Sequence, residues 1–88
     1  MRNLKRFSIA SLDVGDKVLD MVGEYMSRLQ RINLEYCRSI TDQAAIRLME
    51  RLPSLLKIDL QNTSISERTK QAIFWELSRR AGHQMVEE

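Results

Sequence analysis

"LQRINLEYCRSITD", residues 29–42, places Leu29, Ile32 and Leu34 at short spacing, then Cys37, then Ile40 ahead of Thr41-Asp42. A lone cysteine in such a run is either chemistry or packing. If it is packing, the pattern around it should recur without the thiol, and it does. "LKRFSIASLDVGD" from Leu4 and "LLKIDLQNTSISE" from Leu55 repeat it, with Leu4, Leu29 and Leu55, then Phe7, Ile32 and Ile58, then Ile9, Leu34 and Leu60 coinciding. The period is 25 residues and then 26. Leu12, Cys37 and Thr63 share the next position, followed by Val14, Ile40 and Ile65. A nucleophile or metal ligand does not share its place with an aliphatic side chain, so Cys37 is expected to pack in a semi-buried bend.

Each unit continues with apolar residues every four positions. Val14, Val18, Val22 and Met26 form the first series, Ile40, Ala44, Leu48 and Leu52 the second, and Ile65, Thr69, Ile73 and Leu77 the third. That spacing puts each series on one face of a helix. Gly15-Asp16, Thr41-Asp42 and Ser66-Glu67 set an acid at the positive end of each helix, and Thr41 and Ser66 are suited to capping free N–H groups. Pro53 ends the second helix, and Gly82 is expected to end the third. The chain therefore reads strand, bend, helix, three times, as one domain over residues 1–88 with units at about 4–28, 29–54 and 55–80 and a polar tail at 81–88.

Such units joined in series give parallel strands side by side with the helices behind them. The segments resemble leucine-rich repeats of the cysteine-containing subtype found in F-box substrate receptors and, more distantly, the ribonuclease-inhibitor-like group. The middle unit carries the likeness through Leu29, Ile32, Leu34, Cys37, Ile40, Thr41, Asp42, Leu48, Leu52 and Pro53. The resemblance covers roughly residues 4–80 and implies an α/β fold, a short solenoid of three strand-helix units with a parallel sheet on the concave face and helices on the convex face. Leu12 and Thr63 depart from it at the cysteine position. Lys70 departs where the other units have Leu19 and Ala45, which marks the third unit as terminal.

The resemblance implies that the concave face binds another protein. Strand alternation directs Arg6, Ser8 and Ala10, then Arg31, Asn33 and Glu35, then Lys57, Asp59 and Gln61 toward it. Arg6, Arg31 and Lys57 should form a column facing carboxylates or phosphates of a partner. The competing reading is a solvated face that discourages edge pairing, with Glu35 and Asp59 neutralising much of the charge. Tyr36 and Asn62 would extend the surface at its rim. Trp75 falls where Glu24 and Glu50 stand in the other units, so it is expected to face away from the core and to be covered by a partner or by Met85 and Val86 of the tail.

Composition bounds a small single domain. The chain has 88 residues with a formal net charge of +2, too balanced to imply nucleic acid. One cysteine excludes an internal disulfide and fits a reducing, intracellular and cytoplasmic setting; no apolar stretch reads as a membrane span or secretory leader. There is no glycine loop for phosphate, no ligand cluster, and the one histidine, His83, lies in the tail, so neither enzyme activity, cofactor nor metal is expected. Met21, Met26, Met49 and Met85 read as gap-filling core. The functional expectation is a non-catalytic adaptor or substrate-receptor fragment binding an acidic protein surface, with a structural subunit of a multiprotein complex, its end repeats buried by neighbouring chains, as the alternative.

Overall fold

The computed structural model describes the backbone of residues 3–86 and the side chains of residues 3–82. The elements run β1 (Arg6–Ser8), α1 (Asp16–Tyr25), β2 (Arg31–Asn33), α2 (Asp42–Arg51), β3 (Lys57–Asp59) and α3 (Glu67–Val86). The strands form one sheet in the order β1-β2-β3, all parallel. Parallel neighbours cannot be joined by a tight turn, so each connection crosses back, and α1 and α2 are those crossovers. Phe7, Ile32 and Ile58 stand side by side in register.

Pairing continues past the three-residue strands. Backbone N–H groups of Ile9 and Ser11 donate to Asn33 and Glu35 carbonyls at 3.0 and 2.8 Å, and those of Leu34 and Tyr36 donate to Asp59 and Gln61 at 2.9 and 3.1 Å. The inward strand residues meet Leu19, Val22, Ala44, Leu48, Ile73 and Leu77 in a single core, which places the helices behind one face of the sheet. Ile40, Ala44, Leu48 and Leu52 are all buried, as their spacing requires. In the first unit Val14 and Val18 are only half-buried, since among the described residues the core packs against that unit from the second unit's side alone. Met21 is a correction to the expected core methionines: it is 56% exposed, while Met26 is buried and Met49 packs at the core edge. Met85 lies outside the described side chains.

Cys37 sits deeper than a semi-buried bend. It is fully buried, and its Sγ donates to the carbonyl of Ile9 in the preceding unit at 3.2 Å. Thr63 turns its hydroxyl to Leu60 of its own unit at 2.7 Å, and Leu12 is 63% exposed. The shared feature is in the backbone. Ser11, Tyr36 and Asn62, each just before this position, have φ of 67°, 67° and 61°. That left-handed conformation is costly for a non-glycine residue. Ladder bonds from the Ser11 and Tyr36 amides hold the first two in place.

The acids at the helix starts have a second role. Asp16 accepts from the amide and hydroxyl of Thr41, both at 2.8 Å, and Asp42 accepts from the amide and hydroxyl of Ser66 at 2.9 and 2.7 Å and from Thr69 Oγ1 at 2.9 Å. Each carboxylate thus ties its unit to the cap of the next. Thr41 and Ser66 also cap their own helices through Ala44 and Thr69 amides. The hydroxyl of Ser66 first, then its amide, holds the Asp42 carboxyl below the usual carboxylate range.

The third helix does not stop at Gly82 but runs through it to Val86, so the tail at 81–88 begins as helix. Gly82 has no positive φ, and a helix tolerates a glycine at a cost of about 1 kcal/mol when no capping geometry forms. Arg80 stands where Leu29 and Leu55 begin the other strands. Its guanidinium donates to Leu52, Leu55 and Met49 carbonyls at 2.9, 3.1 and 3.2 Å, satisfying the end of α2, and it pairs with Glu76 at 2.9 Å. Among the described residues no helix is long and apolar enough to cross a membrane.

Three measurements check this packing. Cys37→Ser keeps a donor for the Ile9 carbonyl but puts a hydroxyl in an apolar site, so it should cost about 1–2 kcal/mol in chemical unfolding. A bulky thiol reagent should label Cys37 only as fast as the chain opens, and rapid labelling of the folded protein would contradict its burial. Hydrogen bonds from Arg79 and Arg80 lower the Glu76 pKa to about 2. A carboxyl depressed in the folded state stabilises it above the unfolded pKa, and that contribution is lost as pH falls through the folded value. The unfolding midpoint should therefore drop between pH 5 and pH 2, and Glu76→Gln should flatten the drop.

Candidate functional site

The sheet face turned away from the helices gathers most of the expected contact residues. Register places Arg6 beside Arg31 and Arg31 beside Lys57 in one row, and Ser8, Asn33 and Asp59 in the next. This follows from two constraints. Side chains alternate along a strand, so the residues flanking each buried Phe7, Ile32 or Ile58 face outward, and parallel pairing without offset aligns them across strands about 4.8 Å apart. Arg6, Ser8, Arg31, Lys57 and Gln61 are exposed, and Ala10, Asn33, Glu35 and Asp59 are half-buried.

The row is not three equal cations. Arg31 Nε donates to Asp59 Oδ2 at 3.1 Å, and Lys57 Nζ stands 3.9 Å from Asp59 Oδ1. Asp59 is the sunken member, with 11% of its side chain exposed against 48% for Arg31 and 59% for Lys57. One carboxylate therefore holds two cations in place, and Arg6 has no ion-pair partner among the described residues. Asn33 Oδ1 accepts from the Glu35 amide at 2.9 Å, which fixes the backbone where the strand turns into the bend. Glu35 and Asp59 are not opposite one another: Asn33 faces Asp59, and Glu35 lies toward Gln61 at the next rung.

Tyr36 stands at the rim, 50% exposed, on the left-handed backbone noted above, and Leu12 is exposed one unit earlier. Sequence spacing named Tyr36 as a rim residue but gave no sign of its strained backbone, because tyrosine is not a residue that marks a positive φ. Trp75 does not join the sheet face. It lies on α3, 69% exposed, with its ring edge-on to Phe74 at 5.9 Å and 70°. Met85 and Val86, its expected intramolecular cover, lie outside the described side chains. Phe74, 63% exposed beside Ile58, Ile73 and Leu77, is a contact candidate that residue spacing did not single out.

Among the described residues no group of three or more His, Cys, Asp or Glu side chains is placed to hold a metal ion. The face can meet a partner by hydrogen bonding and charge. No family model matches the chain.

Asp59→Asn should release the Arg31 and Lys57 charges while costing about 1 kcal/mol, because the two cations stand in solvent and ion pairs screened in this way contribute little. Chemical unfolding measures it. A loss above about 2 kcal/mol would make Asp59 an anchor of the fold rather than of the face.

Proposed function

We propose that the chain is a short leucine-rich-repeat solenoid serving as a non-catalytic protein-interaction module, an adaptor or substrate-receptor fragment that binds an acidic protein surface through its open sheet face. The observation that carries this reading is the in-register row of Arg6, Arg31 and Lys57 on rigid, mutually paired strands. Arginine presents a planar fork suited to carboxylates, and a row held on a sheet loses little freedom on binding. Asp59 pre-orients Arg31 and Lys57, while Arg6 is left to pair with the partner. The 25- and 26-residue period and the three equivalent bends support the repeat assignment. The non-catalytic reading rests on the separation of the two carboxylates: Glu35 and Asp59 stand on different rungs and Asp59 is held by Arg31 and Lys57, so they form no general acid/base pair.

A second reading has its own support. Met21, Tyr25, Phe74 and Trp75, all more than half exposed, lie on helices of the two end units. Large apolar surfaces of this kind favour a structural subunit whose ends are buried by neighbouring chains.

Affinity capture with the wild-type chain and with Arg6→Glu tests the first reading. Arg6 makes no ion pair among the described residues, so the variant should fold with an unchanged midpoint. It should bind a true partner about tenfold more weakly or worse, and raised salt should weaken the wild-type complex. Partners retained equally by both proteins would move the interface off the sheet face.

A further inference from the structure

We infer that the N-terminal end of the stack is a docking surface for a strand-helix element of a partner polypeptide, which continues the sheet beside β1 and lays an apolar helix against α1. This deepens the second reading above and makes no use of the cation row. Phe7, Val18, Met21, Val22, Tyr25 and Met26 line an open groove of about 750 Å³ on that end. Met21 and Tyr25 are 56% and 58% exposed.

The molecule itself shows what covers such a surface. By the repeat, Met21 is equivalent to Arg47, and Tyr25 to Arg51. Those two residues reach back to the preceding unit: Arg47 donates to both carboxylate oxygens of Asp20 at 3.4 Å, and Arg51 donates to the Asp20 carbonyl at 3.4 Å. The stem of Arg51 also lies over Gly23, where an added Cβ would stand 3.1 Å from its Cδ. The first unit therefore turns its backward-facing positions outward and fills them with apolar side chains. A unit that ended in water would carry polar ones there. The other end is mixed: Lys70 replaces the buried Leu19 and Ala45 and pairs with Glu67 at 3.8 Å, while Phe74 one helical turn on is 63% exposed.

The backbone agrees. Arg31 N–H donates to Lys5 and Lys57 N–H to Gln30, each in the preceding unit, at 3.0 and 3.1 Å. The equivalent Arg6 N–H has no such acceptor among the described residues. A strand laid parallel to β1 would supply one.

The occupant's chemistry follows from the same equivalences. Met21 asks for an apolar residue where the preceding unit has Asp20; the second unit has Ile46 there and the third has Gln71. A head-to-tail copy of this chain would offer the exposed Phe74 but set Gln71 against Met21 and put Lys70 where Leu19 and Ala45 are buried, a poorer match than a unit of the Ile46 kind.

The test uses the full chain with a second copy of residues 29–54 joined directly ahead of Leu4, and a scrambled version of the same segment as control. The copy should raise the thermal midpoint above that of the control and slow amide exchange at Arg6 and Ser8 by about tenfold or more. Met21→Arg in the extended chain should abolish both effects. Equal midpoints and unchanged exchange in a folded extended chain would overturn the inference. Should the extended chain not fold, a hydrophobic dye decides on the unextended one: enhanced fluorescence reduced about twofold or more in Met21→Arg/Tyr25→Arg, with Phe74 and Trp75 accounting for the remainder, is expected, and no enhancement, or one unchanged by the substitutions, overturns it. Sedimentation of the unextended chain should show a monomer; a dimer dissolved by Met21→Arg would give the surface to a second copy and overturn the assignment to a different partner.

Discussion

Parallel pairing without offset, with Phe7, Ile32 and Ile58 abreast, is the constraint from which the other features follow. Strands of three residues have few ladder bonds of their own, so the register is held by what flanks them. On one side the ladder runs on through Ile9, Leu34 and their neighbours to a left-handed bend. On the other, Leu29 and Leu55 are fully buried at the entry to each strand. A slip by one residue would turn Ile32 to water and Arg31 into the core, which the alternation of a strand forbids. Once the register is set, the cation row, the polar row beside it and the helices behind are set with it.

The units are coupled unequally. Asp16 and Asp42 each bind the capping residue of the next helix, so forming one helix start helps to fix the following one. The thiol of Cys37 adds a bond backward to Ile9, and Arg80 closes the end of α2 from the third unit. The middle unit is bound on both sides and supplies most of the fully buried side chains. Among the described residues the outer units are each packed on one side, and they differ: the third carries Lys70 and Glu67 beside the exposed Phe74 and a lengthened helix, while the first presents Met21 and Tyr25.

Much of this was legible in the chain because repetition amplifies a weak signal. Any one of the three strand patterns is too short to decide, but Leu4, Leu29 and Leu55 at nearly equal intervals decide together. The same alignment placed Arg6, Arg31 and Lys57 in a row and Trp75 on an exposed helix face. It left unread whatever depends on side-chain reach across units. Asp42 was placed correctly at the start of its own helix, yet its strongest partner is the cap of another unit. Spacing set Asp59 near enough to offset the charge of Arg31 and Lys57, but not that this one carboxylate holds both while Arg6 stands apart. The helix at the C-terminal end outlasted Gly82 because glycine ends a helix only where the backbone turns left-handed, which residue type alone does not show.

The parallel register is tested most directly by cross-strand nuclear Overhauser contacts around Ile32 in solution. The fold described here requires backbone contacts from Ile32 to both Phe7 and Ile58 in the pattern of parallel neighbours, with Arg31 similarly linked to Arg6 and Lys57. Contacts shifted by one residue, an antiparallel pattern, or a link to only one of the two flanking strands would contradict it.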